Sequence, residues 1–184
     1  IISKPEFYIN YFYYKNIENI LKYLGNNYNN KNNSKYNGYG KIIYENGEYY
    51  IGEFKNGLRN GKGILYYNKE KLMFFGDFVG DKFEGPGNFS EQKYNYYIGE
   101  WKNNLRNGKG ILCYKDGSKY QGDFINDKAN GYGIRIYEND NYYIGEWRND
   151  LKHGKGIIYY KNGNIKYDGE FINGKREGKG NYIY

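Results

Sequence analysis

Apolar and polar residues alternate one by one along most of the chain, and the alternation breaks off and restarts at short intervals. In Tyr50-Ile51-Gly52-Glu53-Phe54, extended backbone puts Tyr50, Gly52 and Phe54 on one side and Ile51 and Glu53 on the other. A turn pair follows, Asn56-Gly57, and a second extended run, Gly61 to Tyr67, returns. The same succession recurs around Gly80-Asp81, Asn103-Asn104, Asn126-Asp127, Asn149-Asp150 and Asn173-Gly174. These residue types tolerate the positive φ that two-residue hairpin turns require. Other turns, at Asn46-Gly47, Asp116-Gly117 and Asn162-Gly163, lead from one pair of strands to the next. The pattern predicts hairpin after hairpin, joined as an antiparallel meander.

The hairpins are copies of one unit. Gly-x-Gly pairs begin at Gly38, Gly61, Gly85, Gly108, Gly131, Gly154 and Gly178, at spacings of 23 or 24 residues. A second glycine series, Gly52, Gly76, Gly99, Gly122, Gly145 and Gly169, keeps step with it. Each of these has an aromatic two residues earlier, an acid next (Glu53, Asp77, Glu100, Asp123, Glu146, Glu170) and then another aromatic. Glycine weakens a strand unless something packs over its bare backbone, and a ring on a neighbouring strand can do that. The two columns therefore predict rings lying over glycines, unit after unit, in an elongated single-layer sheet. One hairpin cannot bury its own face, so each unit depends on its neighbours. The acids recur along a rod instead of converging, which predicts cross-strand pairing with residues such as Lys62 and not acid–base catalysis.

Composition agrees with strands and turns. The 184 residues include 27 Gly and 27 Tyr, with Ala129 the one alanine and Val79 the one valine. A lone cysteine, Cys113, allows no internal disulfide or cysteine metal cluster, and a lone histidine, His153, excludes zinc sites that need two. No apolar run is long enough for a membrane-spanning helix. The opening residues lack a starting Met and a secretory pattern, so the chain reads as a piece of a longer protein in a reducing cytosol. The abundance of Asn, Lys, Ile and Tyr suggests an A/T-biased genome such as a protist's. The net charge of +7 points to acidic partners, but the basic residues alternate with acids, so nucleic-acid binding is not expected.

Residues 1–25 do not repeat. They hold an aromatic run, Phe7 to Tyr14, and a short helix pattern from Asn16 to Gly25 with Ile17, Ile20, Leu21 and Leu24 on one face. This segment is expected to cap the first hairpin's edge or to dock a partner. Residues 26–35 read as an Asn-rich linker, and 36–184 as the array, one half repeat plus six repeats.

The unit YIGEFKNGLRNGKGILYY, Tyr50 to Tyr67, resembles the MORN repeat (membrane occupation and recognition nexus), whose motif is close to Y-x-G-E-W-x-x-G/N-x-x-x-G-x-G. The resemblance covers about Lys35 to Tyr184 and implies an all-β, elongated single-layer antiparallel meander of stacked hairpins. It also implies a scaffold for protein partners in cytoskeletal, junctional or ciliary assemblies, cytoplasmic and at the cortex or a membrane. Members are also attached to enzymes, so the alternatives are a regulatory segment of a phosphoinositide kinase or lysine methyltransferase, and an anionic-phospholipid-binding adaptor. The second repeat departs from the pattern with Pro86 between its two glycines, which predicts an altered edge and a lost charge pair there.

Three sets of residues are candidates for function. Tyr97, Trp101, Tyr120, Phe124, Tyr143 and Trp147 are the expected partner-binding aromatic surface, for a helix or an extended segment. Arg59, Lys62, Arg106, Lys109, Lys152, Lys155, Arg176 and Lys179 form a basic row near the hairpin ends, expected to give weak, salt-sensitive contact with anionic phospholipid. Cys113 takes a packing column shared with Tyr66 and Tyr159, and His153 takes a turn position, so they are not read as a nucleophile and base. No catalytic residue, metal site or cofactor motif is assigned. A homodimer through the sheet's open edge is a further expectation.

Overall fold

The computed structural model describes residues 35–67, 72–91 and 95–183. The short helix expected before Gly25 lies outside them. Thirteen strands follow in chain order: β1 Gly38–Ile43, β2 Tyr49–Lys55, β3 Leu58–Tyr67, β4 Leu72–Val79, β5 Lys82–Glu91, β6 Asn95–Lys102, β7 Leu105–Cys113, β8 Lys119–Ile125, β9 Lys128–Ile136, β10 Tyr142–Arg148, β11 Leu151–Tyr159, β12 Ile165–Ile172 and β13 Lys175–Tyr182. Each pairs antiparallel with the next in one open sheet ordered β1 to β13. At about 4.8 Å between neighbouring strands, the sheet runs about 58 Å across its strands, so the array is long and one layer thick.

The hairpin turns are as tight as the sequence requires. Asn126 and Asp127 have φ of 46° and 68°, and Asn149 and Asp150 have 49° and 66°, the double positive φ of a type I′ turn. Because only two residues turn, the returning strand starts at once, at Leu58, Leu105 and Leu151. His153 consequently lies inside β11 and not in a turn.

Register lines up one glycine from every strand. Gly40 pairs with Gly52, Gly52 with Gly63, Gly63 with Gly76, and so on through Gly87, Gly99, Gly110, Gly122, Gly133, Gly145, Gly156 and Gly169 to Gly180. From Gly52 to Gly180 the rail is sterically closed to any side chain. A Cβ on Gly110 would stand 2.3 Å from the Tyr97 hydroxyl, and one on Gly99 2.6 Å from the Cα of Gly110. Tyr97 lies across both, and its hydroxyl donates to the carbonyl of Glu100 at 3.0 Å. Tyr50, Tyr120, Tyr143 and Tyr167 repeat the arrangement onto Glu53, Asp123, Glu146 and Glu170.

Rings then meet edge to face in an unbroken series. From Phe54 the contacts run to Tyr50, Phe78, Phe74, Trp101, Tyr97, Phe124, Tyr120, Trp147, Tyr143, Phe171 and Tyr167, with centroids 5.0 to 5.4 Å apart. This is the favoured perpendicular geometry of aromatic pairs. The indole N–H groups of Trp101 and Trp147 reach back to the carbonyls of Gly87 and Gly133 on the preceding strand. All of these rings sit on one face, here the ring face. The opposite face carries a shallower ladder in which Ile51 pairs with Ile64, Ile98 with Ile111, Ile134 with Ile144 and Ile144 with Ile157.

Pro86 does not break the sheet. β5 runs from Lys82 to Glu91 without interruption, and Pro86 pairs with Glu100 while Gly87 keeps its place opposite Gly99. In the other repeats the backbone N–H at this position leaves the hairpin ladder and donates to the acid column, as Lys62 does to Glu53 at 3.1 Å and Lys155 to Glu146 at 2.9 Å. Proline there removes a side-chain bond and no rung of the ladder.

Burial pushes the phenols of Tyr50, Tyr97, Tyr120 and Tyr143 above the usual tyrosine range. The unfolded chain ionises first, so stability is full below about pH 10 and falls as pH rises beyond it. Alkaline titration followed at once by phenolate absorbance and circular dichroism should show these tyrosines ionising together with unfolding. Tyr120→Phe, which removes one hydroxyl bond and keeps the ring, should cost about 1 kcal/mol in urea unfolding.

Candidate protein-interaction surface

The six aromatic candidates are core rings. Tyr97, Tyr120 and Tyr143 are at most 1% exposed, Phe124 is 2%, Trp101 7% and Trp147 9%. What remains open above them is a second, half-buried layer that includes Tyr44, Tyr67, Phe89, Leu112, Tyr114 and Tyr137, packed against the core. Tyr67, Tyr114 and Tyr137 each stand four residues after the second glycine of a Gly-x-Gly pair, a spacing visible in the sequence once the rings before the glycines are assigned to the core. Burial raises the pKa of Tyr67 and Tyr137, while each phenol keeps its place at the rim of the ring face. These side chains pair an apolar body with a polar tip, the combination that anchors binding surfaces.

The eight basic candidates do not form one row. Alternation places Arg59, Arg106, Lys152 and Arg176 on the ring face and Lys62, Lys109, Lys155 and Lys179 on the opposite face. Two of the second group are paired with acids of the next unit: Lys62 Nζ with Asp77 at 2.9 Å and Lys109 Nζ with Asp123 at 2.8 Å. The Lys109 hydrogen bond holds the Asp123 carboxyl below the usual carboxylate range. Lys155 and Lys179 are exposed. The acid column has a further task that residue letters do not reveal: its carboxylates take backbone N–H groups released where β2–β3, β6–β7, β10–β11 and β12–β13 shift register.

On the ring face the arginines bind unit to unit. Arg106 Nε meets Asp127 Oδ1 at 3.0 Å, its backbone N–H meets the same oxygen at 2.9 Å, and its terminal nitrogen reaches the Asp127 carbonyl at 2.8 Å. Its guanidinium carbon lies 5.7 Å from the Tyr97 ring and 5.5 Å from the Phe124 ring. Arg59 repeats these contacts with Asp81, Tyr50 and Phe78. Arg135 is a departure from its column, where Leu65, Phe89, Leu112 and Ile158 are apolar. It stacks on Tyr114 at 3.8 Å and donates to Ser118 Oγ at 3.0 Å, and Ser118 in turn donates to Asp116. Its Nε is buried and has no hydrogen-bond partner. A cavity of about 400 Å³ opens beside it, lined by Ser118, Tyr137, Asn141, Ile158 and Lys166 among others.

Cys113 is buried at the end of β7, and His153 lies on β11, four strands away. Among the described residues no three His, Cys, Asp or Glu side chains are placed to hold a metal ion.

Comparison with known proteins gives one family. A family model described as MORN repeat matches residues 31–49, 50–70, 74–90, 97–119, 120–142, 143–165 and 167–184, seven repeats, with the first starting a few residues before the array boundary drawn from the sequence. No curated protein sequence is significantly similar to the chain. Among solved structures, the TCP domain of SAS-4 (dCPAP) of Drosophila melanogaster, in complex with a proline-rich motif of Ana2 (dSTIL), aligns at a TM-score of 0.40 and 15% identity. That alignment covers 71% of this chain and 77% of the other.

The contact set assigns a definite energetic role to the turn acids. Asp127→Ala should destabilise the chain by about 1–2 kcal/mol. Asp127→Asn should cost about half as much, because an amide oxygen still accepts the N–H, as Asn104 does from Phe83 at 2.7 Å. Paired urea melts of the two variants check the order.

Proposed function

The chain belongs to the MORN-repeat family, and from that premise we propose that it is a non-catalytic scaffold whose ring face receives a protein partner as a helix or an extended segment. One observation carries the reading. Among the described residues there is a single layer, and no second layer covers the Tyr67, Tyr114 and Tyr137 rim. A partly open aromatic surface of this length is typical of a partner site. The buried rings Tyr97, Trp101, Tyr120, Phe124, Tyr143 and Trp147 support that surface from below, and the cations between the rim tyrosines give it polarity.

Attachment to anionic phospholipid draws less support, since Asp77 and Asp123 already neutralise Lys62 and Lys109. A cytoskeletal or membrane-associated assembly, or the regulatory part of a larger enzyme, would each use the same ring face, so partner capture is the informative test. Affinity capture from native cells with quantitative mass spectrometry should lose its principal partner when Tyr114→Ser and Tyr137→Ser are combined, with the thermal midpoint lowered only modestly. Retention of that partner, or an equal loss with Ile144→Ser on the opposite face, would contradict the proposal.

A further inference from the structure

We propose that the seam between Lys152 and the Asn173–Gly174 turn is a carboxylate-binding site, which takes an Asp or Glu side chain from an extended segment of a partner protein. The inference rests on the scaffold reading above and specifies the chemistry of the partner.

Four consecutive seams show what this place in the repeat is built to hold. In each, the second turn residue of one hairpin lies against the start of the returning strand of the hairpin before it. The side-chain oxygens of Asp81, Asn104, Asp127 and Asp150 accept the backbone N–H groups of Arg59, Phe83, Arg106 and Ala129 at 2.7 to 2.9 Å. In return, the N–H of each turn residue donates to the carbonyl of the same partner at 3.0 or 3.1 Å. The fifth seam keeps this backbone bond, Gly174 N–H to Lys152 carbonyl at 2.8 Å, so its geometry is that of the others. Only the side-chain acceptor differs, because residue 174 is glycine. The seam at the start of the array also has glycine here, with Gly57 N–H donating to the carbonyl of the uncharged Tyr36 at 2.9 Å, so the glycine seam that faces a cation is the one at Lys152.

The identity of the facing residue makes that difference chemical. Where the strand residue is Arg59 or Arg106, the turn residue is an aspartate that binds the guanidinium. At the uncharged Phe83 the turn residue is the uncharged Asn104, and at Ala129 it is Asp150, which accepts the backbone N–H there; both cationic positions have an aspartate. Lys152 is a cation, and the chain places no acid opposite it. Its ammonium is half-buried, 5.1 Å from the Tyr137 ring centre, 5.2 Å from Tyr143 and 5.8 Å from Phe171. Burial first, then Arg176 and Arg135, push its pKa down. Among the described residues no carboxylate forms an ion pair with Lys152, Arg135 or Arg176. A partly desolvated cation in a ring cage with two like charges nearby gains from an anion more than a solvated one does.

The seam admits such a group. A Cβ built on Gly174 meets only Leu151 Cδ2, at 3.7 Å, an ordinary contact, although the φ of 83° strains any side chain more than the 66° to 68° of Asp81, Asp127 and Asp150 does. A ligand carboxylate can therefore stand where Asp81 and Asp127 stand in their seams, accepting the Lys152 N–H and facing its ammonium. The Tyr137 ring that covers Lys152 also lines the cavity beside Arg135, where Asn141 and Lys166 offer donors to the flanking residues of the segment and Asp116 and Glu138 disfavour a second acid there. A lipid surface fits less well, because a plane of headgroups needs protruding cations and Lys152 is recessed among rings.

The intact chain can be tested with a fluorescein-labelled peptide of alternating Glu and Gly, its Gln–Gly counterpart, and phosphatidylserine vesicles, using anisotropy and amide chemical shifts. The Glu–Gly peptide should bind and the Gln–Gly peptide should not, with the largest shifts at Lys152 and Gly174. Gly174→Asp supplies the chain's own carboxylate. It should weaken peptide binding about tenfold or more, and Lys152→Met should weaken binding similarly. The site is refuted if the Glu–Gly peptide does not bind, if Gly174→Asp binds as the natural chain does, or if vesicles displace the peptide and produce the same shifts. Should Gly174→Asp still capture the partner that Tyr114→Ser with Tyr137→Ser loses, this site falls and the scaffold reading stands.

Discussion

A tyrosine ring lying over two bare glycines on adjacent strands is the contact on which the rest of this structure depends. It fixes register, because the ring of Tyr97 fits only where Gly99 and Gly110 are opposite each other. The same ring meets Trp101 in its own hairpin and Phe124 in the next, so the contact that sets register also joins unit to unit. A one-layer sheet has no second layer to bury its face against. Here the rings lie down on the sheet and supply that layer themselves, which is why a chain with few aliphatic residues can hold an ordered core.

Such an array is energetically local. Each hairpin touches its two neighbours, and stability is close to a sum of unit and interface terms. Substitutions at the seams then act on one interface at a time, which frees individual units to depart from the pattern. Phe74 lacks the hydroxyl of its counterparts, and its repeat gains a close parallel stack with Phe83 at 3.6 Å instead. Arg135 places a charge in an apolar column, where it stacks on Tyr114 and binds Ser118, and Gly174 leaves the seam at Lys152 without an acid. Departures of that kind are where a repetitive scaffold can carry selectivity.

The strands, turns and glycine columns were legible because each is written in residue types with a steric meaning. Asn149-Asp150 can be read as a turn from positive-φ tolerance alone, and the glycine rail follows from its spacing. The acid column was legible as structural, but its partner was not, since the backbone N–H groups of Lys62 and Lys155 have no letter in the sequence. For the same reason Pro86 looked disruptive until the bond it lacks proved to lie outside the hairpin ladder. Alternation counts faces only between irregularities, and the register shifts between Gly52 and Phe54, and between Gly99 and Trp101, helped to divide the basic residues between two faces. The rim tyrosines were hidden behind the stronger aromatic signal of the core, which drew the candidate surface to the rings beneath them.

A double-mutant cycle at Tyr97 and Gly110 tests the central contact most directly. If the ring and the glycine are two halves of one interaction, Gly110→Ala should cost several kcal/mol in the natural chain and far less once Tyr97→Ala has removed the ring. The coupling energy should be about 2 kcal/mol or more. Additive costs, with Gly110→Ala equally damaging in both backgrounds, would show that the ring does not depend on the glycine and would contradict the account.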